Sequence, residues 1–170
     1  MNSSIALLAL WGALVPQVNR LSLNWEQDYR QARATGVRVQ KPLAVFVGTG
    51  ADGWKQLLRE GNLDAELRKT LVDRYVPVYI NQDTDDGKQM AELFGLSGKH
   101  GLIISDRSGG AMAFRHDGDL TAKDLARHLT RFSDPDHVVT TTEYGGGAPA
   151  PAPAPTSAGV IYQNPFACQT

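Results

Sequence analysis

A single cysteine, Cys168, stands two residues from the end of the 170-residue chain. One thiol cannot close an internal disulfide, form a CxxC couple or build a cysteine-rich zinc site, so thiol redox chemistry within one chain is excluded. Cys168 is left as a free tail thiol or as half of a disulfide between chains. The four histidines, His100, His116, His128 and His137, have no metal-ligand spacing, and no metal site is expected from them. His128 stands beside Arg127 and Arg131 on a helical stretch and is read as exposed. The run Asn81 to Gly87, followed by Glu92, partly echoes a calcium loop, but the sixth position, which needs glycine, is Asp86. It is read as a turn with a helix cap. The remaining candidate is Gly48-Thr49-Gly50-Ala51-Asp52-Gly53, where a strand meets a helix. Backbone N–H groups and the positive end of a helix converge at such a turn and suit an anion or a peptide carbonyl. Its glycines match neither the dinucleotide fingerprint nor the P-loop.

The elements that must hold this turn can be read from periodicity. Leu43 to Val47 is an apolar strand entered through Lys41-Pro42, and a short helix over Trp54 to Arg59 leaves the turn. Upstream, Trp25 to Ala34 has Trp25, Tyr29 and Ala32 on one stripe, predicting a helix ended by Thr35-Gly36. Leu63 to Val72 predicts another helix, and Tyr75 to Asn81 a strand in which Pro77 leaves the sheet position open. Asp85 or Asp86 is expected to cap a helix from Gly87 to Phe94 whose core face is Met90, Leu93 and Phe94. Gly101 to Ser105 and Ala111 to Arg115 flank the turn Asp106 to Gly110 as a hairpin. Thr121 caps a helix to Phe132 with Leu125, Leu129 and Phe132 inward. Residues 133–144 are read as an added edge strand or an arm lying on the domain.

Composition bounds the function. The apolar fraction of 42% suffices for one core, and a net charge of −1 offers no field for nucleic acid, which is excluded as a partner. Residues 5–15, IALLALWGALV, form an uncharged apolar run of signal-peptide length, too short to span a bilayer. The alternative is an N-terminal helix packed on the domain. Export to the periplasm or cell envelope is the expectation, with the cytoplasm as alternative and membrane contact confined to this run if it is uncleaved. Gly145-Gly146-Gly147 and the alternating Ala-Pro stretch after it favour an extended polyproline II spacer. The expected organisation is an apolar N-terminal segment over 1–20, a domain over 21–134 and a Pro/Ala/Gly-rich tail over 135–170.

The order helix, strand, helix, strand, helix, strand, strand, helix resembles a thioredoxin-like domain. LAVFVGTGADGWK lies over that family's strand, active-site turn and helix without a gap. YVPVYINQDTDDGKQMAELFGL resembles its second core strand, Asp-containing turn and following helix, and GLIISDRSGGAMAFRHDG its terminal hairpin. The resemblance covers residues 25–132 and implies an α/β fold, a thioredoxin-like three-layer sandwich with a mixed central sheet of about four strands flanked by helices. It also implies where the chemistry is missing. The two cysteine positions of the CxxC turn fall on Ala51 and Trp54, and the place of the cis-proline falls within Ser97 to Gly101, on His100 or a neighbour, with no proline there. A cis bond without proline costs about 3 kcal/mol, so this loop is expected to be trans or rearranged.

On that alignment Thr49, Ala51, Asp52, Trp54 and His100 share the rim of a degenerate active-site turn. A hydroxyl, a carboxylate and an imidazole together invite acid/base chemistry. The plainer reading has Asp52 capping the helix, Thr49 satisfying a turn amide, Trp54 packing and His100 solvated. The expected function is a non-redox module without cofactor or metal, binding an unidentified protein or peptide or serving as an accessory domain of the cell envelope. The alternatives are an enzyme using Asp52 and His100, or thiol-disulfide activity between chains through Cys168.

Overall fold

The computed structural model describes residues 23–145. The apolar N-terminal run, the Ala-Pro spacer and Cys168 lie outside the described residues. Nine elements follow one another: α1 (Tyr29–Val39), β1 (Leu43–Gly48), α2 (Ala65–Arg74), β2 (Val76–Asn81), α3 (Asp85–Leu93), β3 (Gly101–Ser105), β4 (Met112–Asp117), α4 (Ala122–Phe132) and β5 (Glu143–Gly145), with a short 3-10 helix, Gly53–Leu57, after β1. The strands form one sheet in the order β2-β1-β3-β4-β5. β1 runs parallel to β2 and antiparallel to β3, β3 and β4 form an antiparallel hairpin, and β5 is added parallel to β4.

β1 is buried along its whole length because helices cover both faces of the sheet. Its Ala44 and Phe46 join Leu67 and Leu71 of α2 and Leu125 and Leu129 of α4 in one core. Leu43, Val45 and Val47 point the other way, into a second core with Ala32 of α1 and Ala91 of α3. This is the three-layer sandwich that the element order implies, with five strands rather than about four.

Pro77 has a clear place. The Tyr79 N–H, at the same strand parity, points away from β1 and donates to Glu26 O, so the ring of Pro77 removes only an outward donor. Pro77 O in turn accepts from Glu26 N, and Glu26 forms a parallel bridge to Val78. This corrects the first helix. Trp25 and Glu26 run extended along the edge of β2, and the helix starts at Tyr29, where the Asp28 carboxylate accepts the N–H groups of Arg30 and Gln31. Nor does Gly36 end it. Gly36 is buried where a Cβ would crowd Leu43, and the left-handed cap falls on Gln40 at φ 56°.

Other boundaries shift for similar reasons. Asp64 accepts from Leu67 N and so starts α2 at Ala65, two residues later than periodicity alone places it. Thr84, not Asp85 or Asp86, caps α3 through its bond from Gly87 N. The buried face of α3 is Gly87 and Ala91, with Met90 and Phe94 partly covered; Leu93, expected inward, is 78% exposed. Thr121 caps α4 as expected, and Leu125, Leu129 and Phe132 are buried. His128, expected to be exposed, is half-buried and stacked on Phe114 with centroids 4.1 Å apart.

Gly87 brings α3 hard against the end of β2, where a Cβ would collide with the backbone carbonyl of Asn81. Gly87→Ala must therefore move α3 or the end of β2. It is expected to destabilise the chain by about 3 kcal/mol, read by urea denaturation; an unchanged midpoint would contradict this packing.

Candidate functional site

Three side chains at strand spacing, Tyr79, Asn81 and Asp83, run off the end of β2 and hold the glycine turn from beside it. The Tyr79 hydroxyl donates to Gly50 O (2.5 Å) and accepts from Gly53 N (3.1 Å). Gly50 N donates to Asn81 Oδ1 (3.0 Å) and Asp83 Oδ2 (2.7 Å). The turn's own glycines make this possible. A Cβ on Gly53 would strike the Tyr79 hydroxyl, and one on Gly48 would strike the backbone of Gly53. Gly50 has φ +78°, a conformation that favours glycine. Two of the turn's amides, Gly50 and Gly53, are thus engaged internally, and one of their acceptors is a carboxylate.

The expected rim residues are placed as follows. Asp52 precedes the 3-10 helix but makes no side-chain cap; its carboxylate pairs with Lys55 Nζ at 3.0 Å. Thr49 bonds no turn amide; its hydroxyl donates to Gln56 Oε1 at 3.3 Å. Ala51 is exposed at the tip of the turn. His100 is not a solvated loop residue. Its Nε2 lies 2.6 Å from Asp119 Oδ1, and its Nδ1 is buried without a partner among the described residues. Asp52 and His100 thus each have their own neighbour, and no hydrogen bond or ion pair joins them.

The loop before β3 is built by Asp117. One carboxylate oxygen accepts from Ser97 N and Ser97 Oγ, the other from Gly98 N. Burial pushes the Asp117 carboxyl up, but these bonds outweigh it and hold the group below the usual carboxylate range. No peptide bond in the described residues is cis, so the loop reaches His100 in the trans form.

Trp54 packs, half-buried, against Trp25 with ring centroids 5.5 Å apart. Trp25 in turn meets Phe46 edge-on at 5.0 Å and Tyr79 at 6.3 Å. Lys55 Nζ lies 5.5 Å from the Trp54 ring centroid. The two indoles form a partly exposed platform beside the turn. In the sequence Trp25 reads only as part of a helical stripe and Asn81 and Asp83 only as part of a cap turn, not as partners of the glycine turn. The spacing of Tyr79, Asn81 and Asp83 at strand period beyond an apolar strand was the available signal.

A second cleft lies at the other end of the sheet, where Lys41, Arg74 and Arg107 converge. Its cations are spoken for by helix C-termini. Lys41 Nζ donates to Val72 O, Arg107 to Gln40 O and Ser133 O, and Arg74 to Ser133 Oγ. Positive side chains at the negative ends of α1, α2 and α4 close the domain there. Among the described residues no group of three or more side chains gathers that could hold a metal ion.

No protein family and no curated protein sequence matches the chain. Among solved structures it is similar to a thioredoxin from Thermus thermophilus, at 19% identity and a TM-score of 0.54, covering 64% of this chain and 85% of that one. It also resembles a DsbH oxidoreductase at 15% identity and a TM-score of 0.49, covering 64% and 83%. The domain therefore has the thioredoxin-like fold. At these identities the likeness carries no activity with it.

Burial pushes the Tyr79 phenol above its ordinary value, helped by Asp83 and Asp52, while the bond from Gly53 N works the other way. Burial also pushes up Tyr75, whose hydroxyl donates to Leu129 O at 2.6 Å. Raised folded-state values mean stability fully present below the unfolded pKa of about 10 and lost as pH rises through the folded values. Tyr79→Phe is expected to cost about 1–3 kcal/mol in urea denaturation, by orphaning Gly53 N and Gly50 O. The same variant should lose part of the alkaline destabilisation, with the Tyr75 share remaining. A variant as stable as the parent would contradict the lock.

Proposed function

We propose that this chain is a non-redox thioredoxin-fold module that binds an extended protein or peptide segment beside its glycine turn, as an accessory of the cell envelope. The observation that carries the reading is the turn itself: its Gly50 and Gly53 amides are held by Tyr79, Asn81 and Asp83, and half-buried tryptophans stand next to it. A turn fixed in advance costs little ordering on binding. Paired indoles with one face packed and an edge exposed are the kind of surface that anchors a partner.

An enzyme using Asp52 and His100 would need both groups over one substrate. The ties of Asp52 to Lys55 and of His100 to Asp119 weigh toward binding rather than proton transfer. The envelope location rests on the apolar run at residues 5–15. Among the described residues no helix is long and apolar enough to cross a membrane.

The test is a displayed-peptide selection on the full chain, followed by titration of a selected peptide. Trp54→Ala is expected to weaken binding about tenfold or more, as an anchor residue would. Asp52→Ala and His100→Ala should leave affinity within about threefold, as rim charges do. Equal binding by Trp54→Ala and the parent would overturn the proposal.

A further inference from the structure

The cross-strand register puts the start of the tail level with Phe46, under the tryptophan platform, but at the opposite edge of the sheet from Trp25. Phe46 pairs with Leu102, Leu102 with His116 and His116 with Gly145, so these residues form one row across β1, β3, β4 and β5. β5 runs in the same direction as β1, and the chain therefore leaves Gly145 toward the end that carries the glycine turn. Gly145 stands three strand spacings from Phe46, about 14 Å. Phe46 is the ring on which Trp25 rests, and Trp25 in turn contacts Trp54.

Two glycines follow, and then Ala148 to Pro155 alternates alanine with Pro149, Pro151, Pro153 and Pro155. Pro151 and Pro153 lie six and eight residues beyond Gly145, a reach of about 19 and about 25 Å at the rise of a polyproline II helix. Trp25 itself runs beside β2, five strand spacings or about 24 Å from β5, so the segment from Pro153 to Pro155 is the part that reaches the indoles. An alternating Ala-Pro sequence favours the extended polyproline II form, which has no internal hydrogen bonds, and surfaces lined with aromatic rings take that form by stacking against proline rings. The segment carries no charge, so it meets no repulsion from Asp52 or Asp83 beside the turn.

We infer that the Ala-Pro segment 148–155 is a ligand in cis for the Trp25–Trp54 platform, lying across the degenerate turn and competing with outside partners. This rests on the reading of the platform as a binding surface. Tethering makes the contact intramolecular, at an effective concentration in the millimolar range for a short linker, so weak stacking suffices. An outside partner then binds by displacing the tail.

The test uses the full-length chain with Cys168→Ser and Thr156→Cys, carrying a nitroxide at residue 156. Nuclear magnetic resonance is expected to show loss of the Trp25 and Trp54 indole N–H signals, with the amides of Arg74 and Ser133 at the far end unaffected. Replacing all four prolines by serine should restore the indole signals. Full signals in the labelled parent, or losses that survive the proline replacement, would overturn the inference. The proline-free chain is also titrated with the selected peptide. If it binds while the label never approaches the indoles, only the self-contact has failed. If neither occurs, the binding surface itself is wrong.

Discussion

One phenolic hydroxyl ties the glycine-turn end of this fold together. Tyr79 reaches from β2 to both sides of the glycine turn, donating to Gly50 O and accepting from Gly53 N. Removing the glycines' side chains makes room for it, and Asn81 and Asp83 take the remaining inward amide. The Gly53 amide is buried, and leaving it unpaired would cost about 1–3 kcal/mol, so the Tyr79 hydroxyl holds the turn most strongly there. The Tyr79 ring also meets Trp25 edge-on, which links the turn to the aromatic platform.

The domain is closed differently at its two ends. At the turn end, acceptors from β2 meet donors from the turn. At the other end, Lys41 and Arg107 meet the carbonyls of three helix C-termini, and Arg74 meets the Ser133 hydroxyl. Both arrangements satisfy groups that regular secondary structure leaves over, and both use side chains the sheet delivers by register. The contrast matters for function. The cationic cleft is consumed by the fold itself, whereas the indoles beside the turn keep exposed surface.

The layout was legible in the sequence because its signals are periodic and local. Alternation and apolar runs mark β1, β2 and β3, and Thr121 marks α4. Helix starts were misplaced where a cap competed with a stripe: Asp28 displaced the start expected at Trp25, and Asp64 that expected at Leu63. Leu93 was expected inward because hydropathy ignores that α3 packs through the small residues Gly87 and Ala91. The candidate site was half legible. Its position and its missing cysteines could be read by likeness to a family, but the partners of each rim residue are set by contacts between distant segments. Tyr79 is 26 residues from Gly53, and Asp119 is 19 from His100. Local patterns carry no record of such pairs.

The account stands on the turn being a fixed scaffold, and native-state amide exchange on the full chain measures that most directly. Gly50 and Gly53 are the amides to follow, since Asn81, Asp83 and Tyr79 accept from them. The account predicts that both exchange slowly, with protection near that of β1 residues, and that Tyr79→Phe abolishes protection at Gly53 first. Exchange at the rate of an open loop at both glycines in the parent chain would contradict it.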